Sequence, residues 1–110
     1  MVIKEKIFQE ELERIFDSSF GTMIKIVVDI EKEILSVGHE FHFDCAEELT
    51  EKEGSRQKNL WGANLYRQDK KIDYVSLINI KPLENNRSMN IQDSAIKQKV
   101  EKIIVNLLCN

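Results

Sequence analysis

Hydrophobic residues recur along the chain with two different spacings, and each spacing predicts one kind of element. Residues 3–17 place apolar side chains three or four positions apart between charged ones, which predicts an amphipathic N-terminal helix. Residues 22–29 and 34–43 alternate instead, and they are rich in β-branched and aromatic side chains. These two segments are therefore predicted to be the strands of an antiparallel hairpin.

A short helix is predicted in the middle of the chain, over residues 44–53. Asp44 would cap its first turn, and Glu47, three positions later, would complete a capping box. Gly54 would end the helix. These polar residues are thereby assigned to helix ends.

The second half of the chain is predicted to hold another hairpin and a long helix. Residues 60–67 and 71–80 are the strands, and a loop over residues 81–92 follows, because Pro82 cannot occupy a central strand position. Asp93 would cap the last helix. The apolar stripe of that helix consists of Ile96, Val100, Ile103, Ile104, Leu107 and Leu108.

The order of predicted elements is α-β-β-α-β-β-α. In a chain of 110 residues this order predicts one α+β domain, with an antiparallel sheet of about four strands and with helices on one face. The other face carries more polar residues and stays open. We expect a ligand or partner to bind on this open face or along a sheet edge.

Composition and charge narrow the classes of partner. Hydrophobic residues make up 42% and charged residues 32%, which is typical of a globular domain, and the net charge of −3 argues against a nucleic-acid partner. No apolar run is long enough to suggest a membrane partner, and the N-terminal stretch is charged. Cys45 and Cys109 give no disulfide framework, so a cytoplasmic location is predicted.

Four potential metal ligands, His39, His42, Asp44 and Cys45, lie in the stretch GHEFHFDC, residues 38–45. In a strand, His42 and Asp44 would lie on one face, and His39 and Cys45 on the other, so the four cannot converge on one ion. No metal and no cofactor is predicted. His42 remains as a candidate acid or base, whereas His39 is interpreted as a structural residue.

Two asparagines lie in predicted strands, where this residue type is uncommon. Asn64 shares a strand face with Gly62, a residue that indicates a bulge or a close backbone approach, and Asn79 lies near the end of the next strand. Such residues either satisfy a neighbouring loop or line a ligand groove. Asn64 and Asn79 are therefore candidate ligand-binding residues.

The loop before the last helix is the other candidate. Asn86, Arg87 and Ser88 precede a helix start, where backbone amides can hold a phosphate or carboxylate. Asp93 at the cap would compete for the same amides, and turn geometry accounts for asparagine at residues 85–86.

The sequence contains no phosphate-binding loop and no nucleophile motif, and the catalytic residues remain unknown. The first hypothesis is a non-enzymatic binding or interaction module that uses the open sheet face or an edge, with homodimer formation as one way of pairing edges. The alternative is a small-molecule or anion site, with hydrolysis as one use of it. That site would be formed by Asn64, Asn79, the Asn85–Ser88 loop and His42.

The stretches KIVVDIEKEIL, HFDC, QKNLWGANLY, SLINIKP and NNRSMNIQD, together with the closing amphipathic helix, resemble a family of short prokaryotic proteins. The resemblance covers about residues 22–108 and leaves out the first helix. This family is defined as a domain of unknown function, so it implies no activity, cofactor or catalytic residue. It does suggest that the WGANLY and NNRSM blocks lie together.

Overall fold

The computed structural model describes residues 1–19 and 21–109. Within these residues, five strands form one antiparallel sheet in the order β1-β3-β2-β4-β5, and three α-helices pack around it. The strands are β1 (Val2–Ile3), β2 (Met23–Asp29), β3 (Ile34–Val37), β4 (Leu60–Tyr66) and β5 (Ile72–Asp73). The helices are α1 (Gln9–Ser18), α2 (His42–Glu53) and α3 (Ser94–Leu108), with short 3-10 helices at Gln57–Asn59, Leu77–Asn79 and Pro82–Glu84. The predicted α+β class is confirmed, with one strand more than expected.

Alternate residues of β2 point to the two faces of the sheet. We call the side that carries Ile26 the first face and the side that carries Val27 the second face. Helices α1 and α3 cover the first face and enclose the main hydrophobic core. Fully or almost fully buried residues of this core include Phe16, Ile24, Leu35, Trp61 and Ile104.

The N-terminal segment differs from the prediction. The helix begins at Gln9 rather than at residue 3, because Val2 and Ile3 pair with β3 and form the edge strand β1. Ile3 is buried in the main core from this strand position. The spacing of Ile3 from the later apolar residues fits a helix as well as a strand, so the pattern did not separate the two.

The predicted second strand is too long, and the helix after it begins earlier than expected. Strand β3 ends at Val37, and Gly38 then adopts a φ of 95°, which takes the chain out of the sheet. Helix α2 begins at His42, so Asp44 lies inside the first turn and is not the cap. The predicted capping box is therefore wrong.

Helix α2 packs on the second face, so the prediction of helices on one face is also wrong. Cys45 and Leu49 of this helix form a smaller core with Val27 and Leu60. The helix covers the part of the second face that lies over β3 and the centre of β2. The remaining part of the second face is where the candidate site lies.

The second hairpin exists, but its outer strand is short. Strand β5 spans Ile72–Asp73, and the chain then forms the 3-10 helix Leu77–Asn79 instead of continuing to residue 80. The Asn79 side chain occupies the place of a strand neighbour beside Gly62. A polar side chain thus replaces backbone pairing at this edge.

Several helix-end predictions are confirmed. The Asp93 carboxylate accepts hydrogen bonds from the amides of Ala95 and Ile96, at 2.8 and 3.3 Å, and caps α3. Gly54 follows α2 in the left-handed conformation, as does Asn85 after the third 3-10 helix. Among the described residues, no helix has the length and apolar character needed to cross a membrane.

Candidate functional site

An open groove of about 570 Å³ lies on the second face, between the start of α2 and the segment that follows β5. Its floor is formed by neighbouring side chains of β2 and β4. One wall is the start of α2, and the other consists of residues 75–78 and Met89. The residues that the argument uses are Lys25, Phe41, His42, Phe43, Asn64, Leu77 and Met89.

The walls of the groove are apolar and exposed. Phe43 is 66% exposed and Leu77 is 72% exposed, and Phe41 and Met89 are also largely accessible. Large apolar side chains gathered around a concave surface are uncommon on a monomer and mark binding sites. The groove is therefore a concave surface with exposed, apolar walls.

Asn64 forms the polar part of the floor. Its Nδ2 donates to Asp73 Oδ1 at 2.7 Å and to the Val75 carbonyl at 3.0 Å, which fixes the orientation of the amide. Its Oδ1 is closed off from solvent and makes no close hydrogen bond with a described residue, although it acts on the neighbouring His42 ring as an acceptor. The oxygen therefore belongs to the packing of the groove floor and is not exposed to the groove.

His42, the first residue of α2, lies against the same floor. Its Nε2 lies 2.8 Å from the Ala63 carbonyl and must carry the proton, because a carbonyl oxygen only accepts. Burial lowers the pKa of His42, and the nearby Lys25 charge lowers it further. Hydrogen bonding to the Ala63 carbonyl and to Asn64 raises the pKa, as does the charge of Asp73, but the effect of burial is larger. The ring is therefore neutral at pH 7.

Lys25 supplies a positive charge. It is the direct cross-strand partner of Asn64, and its ammonium group lies 5.7 Å from the centre of the Phe41 ring. Within the part of the chain that the structure describes, Lys25 contacts no carboxylate. The groove thus has an unneutralised cation at one end.

Asn79 lies next to the groove and is fully engaged. Its Oδ1 accepts from the Gly62 amide at 2.7 Å, and its Nδ2 donates to the carbonyls of Gly62, Tyr74 and Met89. Gly62 is required there because a Cβ at this position would lie 2.5 Å from the Cβ of Ser76. The expected close backbone approach at Gly62 is confirmed.

Asn86 organises the loop before α3. Its Nδ2 donates to the carbonyls of Asn79, Ser88 and Asn90, and its Oδ1 accepts from the Gln92 amide. Through the contact with Asn79, the WGANLY and NNRSM blocks are joined. Asn79 and Asn86 therefore hold the groove wall in place from behind.

The sequence-predicted site residues thus fall into two groups. His42 and Asn64 come together in the groove, whereas Asn79 and Asn86 are buried in internal hydrogen bonds. The Arg87 side chain is exposed, and Ser88 Oγ accepts from the Asn90 amide at 3.1 Å. Neither Arg87 nor Ser88 is among the described groove-lining residues, and a ligand-binding role for them stays a prediction.

Comparison with known proteins gives a family. The model of DUF5674, a protein of unknown function, matches residues 1–107. The chain belongs to the DUF5674 family. No curated protein and no solved structure matches the chain significantly. The resemblance seen in the sequence is confirmed. The family match also includes the N-terminal segment, which that resemblance did not cover.

Sequence reasoning missed the apolar walls of the groove. Phe41 and Phe43 were placed in a strand, whereas they flank the first residue of α2 and point to solvent. Gly38 was the signal that could have ended the strand earlier. Leu77 and Met89 gave no signal, because their positions depend on Asn79 and Asn86. Among the described residues, no cluster of three or more histidine, cysteine and acidic side chains could hold a metal ion.

A second polar cluster lies at the middle of α2, around Glu48. The hydrogen-bond donors to its carboxylate are the Met1 ammonium at 2.8 Å, Ser36 Oγ at 2.6 Å, His39 Nε2 at 3.1 Å and Lys52 Nζ at 3.2 Å. Burial raises the pKa of Glu48, but these donors outweigh it and lower the pKa to about 2. The cluster adds polar and charged contacts to the apolar packing of α2 on Ile34 of β3.

Proposed function

We propose that the protein is a non-enzymatic binding module and that the groove on the second face binds a small molecule with an apolar body. The observation that supports this most is a concave surface of about 570 Å³ with exposed apolar walls and with Lys25 and Asn64 in its floor. A mostly apolar pocket with a few convergent polar groups is the usual form of a small-molecule site.

The size of the groove favours a small molecule over a protein partner. Sites for such ligands measure about 300–1,000 Å³, and the groove measures about 570 Å³. Phe43 and Leu77 line a concave surface of this size rather than a flat one.

The sheet face is favoured over the sheet edges as the binding surface. The edge strands β1 and β5 have two residues each, and short edge strands offer little backbone for pairing with another chain. Homodimer formation through edge pairing therefore has weaker support. A homodimer that covers the groove remains a distinct outcome of the experiment below.

Binding is also favoured over hydrolysis. The Nε2 atom of His42 donates to the Ala63 carbonyl, so the lone pair of the neutral ring lies on Nδ1, and no described hydrogen bond joins Nδ1 to a hydroxyl nucleophile. Ser76, the hydroxyl residue on the groove wall, accepts a hydrogen bond from the Ile78 amide and is buried. We further propose that the protein acts in the cytoplasm, where both thiols stay reduced.

Phenylnaphthylamine, an uncharged fluorescent probe with an apolar aromatic body, tests the proposal. Leu77→Asp places a charge on the groove wall, and Leu83→Asp is the matched control, because Leu83 is 97% exposed and lies outside the groove. We expect the wild-type protein and Leu83→Asp to bind the probe equally. Leu77→Asp should bind it at least about tenfold more weakly, since a carboxylate opposes an apolar ligand.

Two results would overturn the proposal. Equal probe binding by wild-type protein and Leu77→Asp would show that the probe binds elsewhere. The second such result is a wild-type dimer, seen by sedimentation, that does not bind the probe and that Leu77→Asp dissociates. In that case the occupant of the groove is a second copy of the chain.

A further inference from the structure

The loop that follows the groove wall exposes a leucine, which has the apolar character that the groove accepts. We call residues 81–86 the tip loop. We infer that the tip loop of one copy inserts Leu83 into the groove of a second copy, so that self-association and ligand binding exclude one another. This regulation depends on the proposed function, because it closes the same groove.

The tip loop has a fixed shape. Two backbone hydrogen bonds join its ends, from the Lys81 amide to the Asn86 carbonyl at 2.7 Å and from the Asn86 amide to the Lys81 carbonyl at 3.0 Å. Pro82 fixes one backbone angle inside the loop, and Asn85 turns the chain in the left-handed conformation. The loop therefore needs little further ordering when it binds, which lowers the entropic cost of association.

The base of the tip loop is attached both to the groove wall and to the main core. Asn86 Nδ2 donates to the Asn79 carbonyl at 2.8 Å, and Asn79 Nδ2 donates in turn to the carbonyl of the wall residue Met89 at 3.0 Å. The Lys81 ammonium group lies 5.5 Å from the centre of the buried Trp61 ring. The tip loop and the groove wall are therefore connected parts of one structure.

Leu83 lies at the end of this loop and is almost completely exposed. A single exposed leucine on a protein surface needs no explanation by itself. Here a loop of fixed shape presents the leucine, and Pro82 and Glu84 beside it are exposed as well. The three residues Pro82–Glu84 therefore form a protrusion with an apolar centre.

The groove has the size and the surface to receive this protrusion. It measures about 570 Å³, and its wall residues Phe43 and Leu77 are largely exposed. Sites of about 300–1,000 Å³ hold drug-sized molecules, and a leucine with its two neighbours is of similar size. In the dimer, Leu83 lies between Phe43 and Leu77, and the apolar surface of all three is removed from water.

Charge complementarity also favours a second copy as the occupant. Lys25 lines the groove and Glu84 is exposed beside Leu83, and neither forms a salt bridge with another described residue. Insertion of Leu83 therefore brings a carboxylate to a groove that has a lysine in its floor. The chain carries a net charge of −3, so two copies repel one another overall, and this pair selects the orientation of the contact.

The contact is small, so the dimer is weak. A three-residue protrusion in a groove lies at the low end of interface sizes, even when both copies exchange protrusions, and contacts of that size are transient. We expect a dissociation constant of about 0.1 mM. The groove is then free in dilute protein and closed in concentrated protein.

Sedimentation equilibrium from about 10 μM to about 1 mM protein tests the contact. Leu83→Asp places a charge on the protrusion, and Phe8→Asp is the matched control, because Phe8 is also largely exposed and lies outside the tip loop and the groove. Wild-type protein and Phe8→Asp should dimerise equally, and Leu83→Asp at least about tenfold more weakly, because a carboxylate opposes transfer into an apolar site. A wild-type chain that stays monomeric, or a dimer that Leu83→Asp leaves intact, would overturn the inference.

The charge pair is tested by exchanging its members. Lys25→Glu and Glu84→Lys each bring like charges together and should each weaken dimerisation about five- to tenfold. The double variant restores opposite charges and should recover most of the wild-type affinity. Thermal unfolding curves show whether each variant is folded, and recovery in the double variant is not expected from local unfolding. If the folded double variant does not recover, Glu84 does not meet Lys25 and the orientation is wrong.

Competition with phenylnaphthylamine links the dimer to the groove. Below about 10 μM, where the chain is monomeric, wild-type protein and Leu83→Asp should bind the probe equally. At about 1 mM protein, the apparent affinity of the wild type should be about fivefold lower, because most grooves are closed. Leu83→Asp should keep its affinity at both concentrations.

The ligand site and its closure can fail separately. If the monomer does not bind the probe at low concentration, the proposed function fails, whatever the chain does at high concentration. If monomer and dimer bind the probe equally well, the groove is a ligand site, and only its closure by Leu83 is wrong.

Discussion

The two faces of the sheet are completed in different ways. On the first face, α1 and α3 enclose a continuous apolar core that includes Phe16, Trp61 and Ile104. On the second face, α2 covers a smaller core, and polar groups hold the rest: the Glu48 cluster at one end and Asn79 at the other. The groove lies beside this smaller core, over Lys25 and Asn64.

This difference shows how a small domain can keep a concave surface. Apolar packing stabilises a face by filling it, so a face completed in that way has no room for a ligand. Hydrogen bonds and charge pairs fix neighbouring segments at particular points and do not require the space between them to be filled. We therefore expect that replacing the polar residues of the second face destabilises the protein, whereas replacing residues of the groove walls has little effect on stability.

The largest effect is expected at Asn79. Asn79→Leu keeps the branched shape of the side chain but leaves the amide and the carbonyl of Gly62 without the Asn79 side chain, whereas the Tyr74 and Met89 carbonyls keep backbone amide partners. We expect the free energy of unfolding, measured with urea, to fall by about 3–5 kcal/mol. Asn90→Leu, an exposed position in the same loop, should change it by less than about 0.5 kcal/mol. If Asn79→Leu leaves the free energy of unfolding unchanged, apolar burial stabilises both faces, and the contrast between the two faces is wrong.

A second large effect is expected at Gly62. In Gly62→Ala the new Cβ would lie 2.5 Å from Ser76 Cβ and 2.7 Å from its Oγ, so the backbone must shift. The expected loss is about 2–3 kcal/mol by chemical denaturation. Adding Ser76→Gly removes the clash, so the double variant should be more stable than the sum of the single changes predicts. Strict additivity would mean that the two segments do not meet.

The Glu48 cluster should make the second face sensitive to acid. Its pKa is lowered from 4.5 to about 2, so its contribution is complete above pH 4.5 and is lost as the pH falls from 4.5 to about 2. Glu48→Gln should cost about 2 kcal/mol at pH 7 and should flatten the stability curve between these pH values. Glu47→Gln, an exposed neighbour, is the control. Parallel acid curves for wild-type protein and Glu48→Gln would contradict the assignment.

The sequence predicted those parts of the fold that local signals determine. Asp93 and the apolar stripe of α3 lie within one element, and both were confirmed. Val2 and Ile3 were misassigned because two residues cannot distinguish a strand from the start of a helix, and only pairing with β3 decides. Asp44 matched a capping motif, but the backbone turned at Gly38 instead.

The groove itself could be predicted only in part. Asn64 and His42 stood out because their residue types are unusual for their predicted positions, and both line the groove. Leu77 and Met89 join them through hydrogen bonds of the Asn79 side chain. This side chain contacts Gly62, which lies 17 positions earlier in the chain, and the Met89 carbonyl, which lies 10 positions later. Such contacts are set by tertiary structure, so no local pattern reports them.

The smallest effect on stability is expected at the groove wall. Phe43→Ala removes a side chain that is 66% exposed and should change the free energy of unfolding by less than about 0.5 kcal/mol. Phe8→Ala is the matched control, since Phe8 is 75% exposed and lies outside the groove. Both variants should be equally stable, but Phe43→Ala should bind phenylnaphthylamine several-fold more weakly, because aromatic walls dominate binding to such sites. Phe43→Ala is expected on these grounds to leave the fold intact; a loss of stability as large as that expected for Asn79→Leu would contradict this. Phe43 would then support the fold, and this wall would be part of a core.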